Sequence, residues 1–589
     1  MRPLLSAPVH VPVAGPAHVS AHISVHVLAN LAVHTATHPA THAAHHAANG
    51  IALPSISYLA ILPELFMLGG ALVLLGWSAL LRKPMDPTNA ASLSLLTGAA
   101  ALVAGVGQWI NVTDWGPHVT IDASVVQDGF SSFVTILIAS AVVVISFVGQ
   151  GWMVREKTRG PELHALMLVS AMGAMLMGEA NDLILVFLGL EIMSIALYVL
   201  AASNPRRAES GEAALKYFVL GSFSSAIFLY GMALVYGATG STNLAEITDY
   251  LARNILLHNG LLLAGIALLL VGFAFKIAAV PFHLWTPDVY QGSPSPVTGF
   301  MAAVAKTAGF AALLRVFVSS FSTVRTDWQP IIWVLAVITL LFGASVGVVQ
   351  RDVKRMLSYS SINHAGFILL GLYLATTQGV SGSLYYLFTY TFMVIGSFAV
   401  ITVVGGLGDV YHDLDRWRGL ARRQPWLAVP MIIFLLAQAG MPATTGLWAK
   451  VYVIEGVVGT PGGDALAIIA MVSAVIAGFF YLRLVLYMIS PVPASAGAGS
   501  GSGDLDSFGL PSEDAPADGI DPDVALAGAG AVATITAPTQ VETLGDEAPV
   551  EIPLGISTGI AICAGFTVLF GLWPSPIIDF AHAATLLIH

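Results

Sequence analysis

Apolar runs of 18 or more residues recur along most of this chain, and each is long enough to cross a bilayer as an α-helix. From Ser57 onward fourteen candidates stand out, near 57–81, 90–110, 126–150, 163–178, 183–202, 213–238, 260–280, 294–320, 329–349, 357–376, 382–405, 427–450, 464–489 and 554–574. A lipid interior offers backbone N–H and C=O groups no partner, so such runs must form helices. The expected fold is an all-α polytopic membrane protein with about 14 transmembrane helices. Composition agrees: 56% of residues are hydrophobic and 10% charged, against about 25% charged in a soluble domain. One cysteine, Cys563 in an apolar run, excludes an internal disulfide framework or thiolate metal cluster. Basic clusters are scarce, which argues against nucleic acid as a partner.

Loop charges test the count. Loops after odd-numbered spans hold Arg82, Lys83, Arg155, Lys157, Arg159, Arg206, Arg207, Arg351, Lys354, Arg355, Arg416, Arg418, Arg422 and Arg423, whereas the other side holds only Arg2, Arg253 and Arg325. By the positive-inside rule the fourteen-residue side is cytoplasmic, and both termini face outward. Two segments depart from the pattern. Residues 1–50 hold nine of the 17 histidines, several at four-residue spacing that would stack imidazoles on a helix and suit a soft divalent metal. Pro8, Pro12, Pro16 and Pro39 interrupt that spacing, so a low-complexity extension is expected, with no metal site; it also makes a poor secretory signal. Residues 491–550 are rich in Gly, Ala, Ser and Pro, acidic, and free of Lys and Arg. They read as a cytoplasmic linker before the last span at 554–574.

Charges stranded at membrane depth point to a site. Lys276 lies just before Pro281 in GFAFKIAAVPFHLW, and Lys306 sits near the middle of the next span. A lysine there costs a few kcal/mol and normally marks an ion or proton path. The proline breaks its helix and leaves polar backbone that must line a cavity. Lys216, Arg315, Lys450 and Arg483 also fall inside spans, and Glu191 stands in the middle of LILVFLGLEIMSIALYVL. Glu191 needs a cation, and Lys276 is the expected partner. Lysine suits a relay because burial shifts its proton affinity, whereas arginine never releases its proton. Arg315 and Arg483, nearer span ends, are expected to snorkel or anchor, and for Lys216 snorkelling competes with a relay role. His283, Asp288 and His364 are placed at loop–membrane boundaries, fit for proton entry or for capping a helix. A static buried ion pair would use the same residue types.

An echo links two spans: FKIAAVPFHLW in the seventh and AGMPATTGLWAK in the twelfth both run Pro, then Leu-Trp. Broken helices at matching positions in two halves point to an inverted-repeat transporter. Together with KIAAVPFHLWTPDVYQGSPSPV, FLGLEIMSIALYVL and KRMLSYSSINHAGF, these runs resemble the antiporter-like subunits of respiratory complex I, over about residues 57–490 and the final span. That resemblance implies two inverted five-helix repeats with broken helices 7 and 12. It also implies a proton-pumping module without a redox centre of its own. It assigns Glu191 and Lys276 as an ion pair, Lys306 as the link between half-channels, Lys450 as the terminal residue and Lys216 as a sixth-helix lysine. It implies as partners the other membrane and peripheral subunits, where NADH, FMN, iron–sulfur clusters and quinone do the electron transfer; this chain binds no cofactor. The expected location is the bacterial cytoplasmic membrane. Sodium/proton antiporters and ion-pumping membrane hydrogenases share the lysine pattern and remain the alternative.

Overall fold

The computed structural model describes residues 56–81, 84–204, 207–254, 259–491 and 552–584. The expected extension at 1–50, the linker at 491–550 beyond Pro491, and Arg2, Arg82, Lys83 and Arg206 lie outside the described residues.

Helix follows helix: α1 (Leu62–Leu81), α2 (Pro87–Trp115), α3 (Gly129–Glu156), α4 (Glu162–Glu179), α5 (Leu183–Ala201) and α6 (Ala208–Thr239). Next come the short α7 (Leu244–Arg253), α8 (Gly260–Ile277), the short α9 (Trp285–Gly292), α10 (Ser295–Ser320), α11 (Arg325–Val349), α12 (Val353–Leu374) and α13 (Thr377–Val404). The chain closes with α14 (Pro425–Ala439), α15 (Thr445–Val457), α16 (Gly463–Ile489), α17 (Leu554–Leu572) and α18 (Ser575–Ala583). A small antiparallel hairpin, β1 (His118–Thr120) with β2 (Val125–Gln127), joins α2 to α3.

Eleven of these helices are long and apolar enough to cross a membrane, or up to twelve when Leu414–Arg423 and α14, bent by 119° from each other, count as one span. Helices also occupy the other expected positions. However, α4 carries Glu162, His164 and Glu179, α12 carries the polar run Ser-Tyr-Ser-Ser-Ile-Asn-His, and α14 and α15 are 15 and 13 residues long.

Hydrogen bonds gather the connections into two ends. At the hairpin end, Val125 bridges Ala180 and Asp182 bridges Asn243, and the Ser320 hydroxyl donates to the Leu244 carbonyl. At the opposite, basic end, Asp352 bridges Asp413, Arg155 donates to the Thr402 carbonyl, and Arg207 to that of Asp409. Asp409 is wholly buried there, 3.1 Å from the Lys354 ammonium, and accepts from the Ser295 N–H (2.8 Å), which pins the start of α10. Burial alone would raise the Asp409 carboxyl, but Lys354, His412 and Ser295 outweigh it and hold it at about 2.

The interior helix is α10, with every residue buried, flanked by the largely buried α13 and α3; α1 is mostly exposed to the surroundings. Two stretches of α10, Met301–Ala305 and Arg315–Ser320, widen into π turns, a local form that is frequent at functional sites. Gly173 and Gly189 let the backbones of α4 and α5 touch, the small-residue packing usual between membrane helices.

Both expected breaks are present, with shifted limits. α8 stops at Ile277, where Ala278 turns to φ +61°, three residues before Pro281. The twelfth candidate, read as 427–450, instead breaks at 440–444, where Gly440 (φ +89°) ends α14 and Pro442 has no N–H to continue it. Lys450 therefore belongs to a separate half-helix, α15.

Candidate functional site: a row of buried lysines

Lys276 lies in the last turn of α8, where an ammonium complements the carbonyl end of the helix dipole. It is 4% exposed and donates to the Ser194 hydroxyl of α5 (2.9 Å) and the Tyr217 hydroxyl of α6 (3.3 Å). Tyr217 in turn stacks on Trp285, the first residue of α9 (4.5 Å between centroids). The backbone opened by the break is satisfied locally, since the Trp285 indole donates to the Phe275 carbonyl (2.9 Å) and the Val280 N–H to Thr339 (3.0 Å). The Lys276 stem packs on Gly309 of α10. A Cβ there would lie 3.0 Å from Ile277 Cγ2 and 3.4 Å from Lys276 Cγ. Gly309→Ala is therefore expected to push on Ile277 and, through it, shift the adjoining Lys276, at a cost of about 1–3 kcal/mol. Proton flux should fall in this variant while the amount of assembled chain stays unchanged.

Lys306 begins the α-helical stretch that follows the first π turn of α10. Its ammonium donates to the Ser361 carbonyl of α12 and lies 5.4 Å from the Tyr390 ring centroid. The Ser361 hydroxyl meets the Tyr290 hydroxyl of α9 (3.3 Å). Lys450 turns back to the end of α14 and donates to the Gln438 and Ala439 carbonyls, both at 2.8 Å. Gln438 closes the gap between the two lysines. Its amide oxygen accepts from Ser360 (3.1 Å), the neighbour of Ser361, and its amide nitrogen donates to Ser397 (2.8 Å). His364, one turn along α12, sits between the Tyr386 (2.7 Å) and Tyr481 (3.2 Å) hydroxyls, and Tyr481 also meets Ser360. Three buried ammonium groups thus lie in one belt, and hydroxyls, an amide and an imidazole fill the space from Lys306 to Lys450.

Comparison with known proteins places this belt in context. Residues 180–477 match the family described as NADH:quinone oxidoreductase/Mrp antiporter, TM. NADH-quinone oxidoreductase subunit N of Trichlorobacter lovleyi is 42% identical over 439 residues, covering 74% of this chain and 88% of the relative. Subunit N 3 of Streptomyces griseus is 37% identical over 491 residues, covering 76% and 88%. The chain belongs to this family. A chain of respiratory complex I from Thermus thermophilus superposes with TM-score 0.66 at 28% identity, covering 89% of this chain and all of that one. One from the Mrp complex of Dietzia sp. gives TM-score 0.72 at 21% identity over 90% and 96%, a likeness of fold.

The structure revises several placements within the family pattern. Glu191 and Lys276 make no direct ion pair. Glu191 is half-buried and accepts from the Ser225 hydroxyl of α6, while Lys276 bonds Ser194 and Tyr217. A cavity of about 10 Å³, lined by Ser194, Tyr198, Ser225 and Lys276, separates the two bonding sets, about the space of one water. Lys216 stands outside the belt at 44% exposure, bonding Glu212 (2.7 Å) and Asp288 (2.9 Å). Asp288, in α9, also takes Arg355 (2.7 Å), so it joins two cations in a cleft of about 230 Å³ at the basic end. His364 is not at a membrane boundary: it lies midway along α12 and is 1% exposed. His283 does lie in the break after α8, buried edge-on to Phe342 (4.7 Å), its Nδ1 without a partner among the described residues. Arg483 anchors as expected, donating to the Val348 and Gln350 carbonyls at the end of α11. Arg315 does not snorkel. It is 2% exposed and grips Asp128, the residue before α3, through two bonds of 2.9 Å.

Sequence reasoning missed the groups between the lysines: Ser194, Tyr217, Ser225, Ser360, Ser361, Gln438 and Tyr481. The available signal was hydroxyl and amide residues in otherwise apolar helices, and in KRMLSYSSINHAGF they stand in plain view.

Proposed function

We propose that this antiporter-like membrane subunit of NADH:quinone oxidoreductase moves protons along Lys276, Lys306 and Lys450, driven by changes at Glu191. The observation that carries the reading is the polar set between the two lysines: Lys306 on the Ser361 carbonyl, the adjacent Ser360 on the Gln438 amide, and Lys450 on the Gln438 carbonyl. Glu191, held by one hydroxyl and only half-buried, is open to a neighbouring subunit that could draw it away from Lys276 or push it closer. Either motion changes how tightly Lys276 holds its proton. Moving one charge against 100 mV costs about 2.3 kcal/mol, and a hundredfold change in proton affinity corresponds to roughly 2.7 kcal/mol. The rearrangement of one carboxylate is therefore sufficient in size. Lys216, Asp288 and Arg355 form the polar entry at the basic end, with His283 in the break beyond.

The same reading takes fourteen spans, including α4, α12 and the pair α14–α15, arranged as two inverted five-helix repeats with α8–α9 and α14–α15 as the broken helices. It places the basic end in the cytoplasm and the hairpin end outside a bacterial inner membrane. Residues 1–50 are then an outer extension, and 491–550 a cytoplasmic linker before α17. NADH, FMN, iron–sulfur clusters and quinone belong to sibling subunits. Lys276→Ala in the assembled complex, reconstituted in vesicles, should leave NADH oxidation detectable and assembly intact but abolish proton pumping through this chain. Full retention of pumping refutes the relay.

A further inference from the structure

A second set of buried titratable groups lies at the hairpin end, away from the lysine belt. Glu64, in the first turn of α1, is 4% exposed, and Glu179, the last residue of α4, is 1% exposed. Their carboxyls lie within hydrogen-bond reach of each other. Thr135 of α3 donates to one Glu179 oxygen (3.3 Å), but the other oxygen and both oxygens of Glu64 meet no donor among the described residues. Gln108 of α2 is also buried, 1% exposed. Its amide nitrogen donates to the Ala60 carbonyl (2.7 Å), in the turn that leads into α1, and its amide oxygen has no partner among the described residues.

The nearby cation does not neutralise the pair. Arg315 of α10 acts on Glu179 by charge and donates to the Gly178 carbonyl beside it (2.9 Å), yet both ends of its guanidinium fork are taken by Asp128. Two carboxylates in contact, with acceptor oxygens and no shared donor, cannot both stay ionised away from water. A carboxyl–carboxyl contact requires a hydrogen between the oxygens. Asp128 also lines a cavity of about 470 Å³ on the hairpin side, walled by Val112, Thr376, Thr377, Val380 and His582.

We propose that Glu64 and Glu179 form a proton-binding site of their own at the hairpin end, sharing one exchangeable proton. The site is independent of the lysine relay; only its assignment to the outer side rests on the orientation given above.

Infrared spectroscopy of the purified assembled complex tests it without any measurement of pumping. Transfer from H₂O to D₂O should reveal an exchangeable protonated-carboxyl C=O band that is lost in both Glu64→Gln and Glu179→Gln. The band should persist in Lys306→Ala, which separates this site from the relay. A spectrum unchanged in both glutamine variants overturns the proposal. So does a band that disappears when sodium replaces potassium, which would make the pair a sodium site.

Discussion

Lys306→Arg is expected to stop proton flux although it keeps a full positive charge at the centre of the belt. Lys306 is 3% exposed and bonds one backbone carbonyl. A lysine in that setting can give up its proton and regain it, whereas a guanidinium stays protonated under all working conditions. If the charge served only to hold α10 against α12, arginine would preserve most of the function and alter mainly stability. Proton pumping by vesicles containing the assembled variant, set against its NADH oxidation, separates the two. Pumping near the unaltered level would show that Lys306 is a fixed counter-charge. Lys306→Met should behave like the arginine variant, because both remove a releasable proton.

The second large effect is structural. Asp128→Asn should cost about 3–5 kcal/mol, because it leaves the Arg315 guanidinium buried without its bidentate partner. That is a large share of the roughly 5–15 kcal/mol that stabilises a typical fold. The variant chain is expected to be depleted from the assembled complex and to denature at lower temperature. Replacing both members, Asp128→Leu with Arg315→Met, should recover much of the loss, since removing a buried pair altogether is often neutral. Thermal denaturation of purified complexes checks this. Equal stability of the single variant and the unaltered chain would mean that Arg315 has an alternative acceptor.

The positions of the helices were legible because lipid leaves the backbone one economical solution, and the two breaks because Pro281 and Pro442 have no N–H to give. The lysines were legible for a related reason, since an ammonium in an apolar run has few uses. Contacts between helices were not legible. Nothing in LILVFLGLEIMSIALYVL says that Glu191 turns to Ser225 while Ser194, one turn away, turns to Lys276. Arg315 looked like a span-end anchor because its distance from the helix terminus is local information, whereas Asp128 lies 187 residues earlier in the chain. His364 was placed too shallow because the span was read to begin near 357, whereas α12 begins at Val353 and sets His364 midway along it. In the folded chain Ser360 and Ser361 face other helices.

The complete enclosure of α10 has a consequence for biogenesis. No face of Ser295–Ser320 is left for lipid, and it carries two cations, so on leaving the translocon it would be a poor resident of the bilayer by itself. Asp128, the acceptor for Arg315, is synthesised earlier and can receive it at once. Ser361, Asp409 and Gln438 are still inside or behind the ribosome at that moment. The first half of the molecule must therefore shelter Lys306 until its later neighbours arrive, which makes the order of synthesis part of how this helix reaches its place.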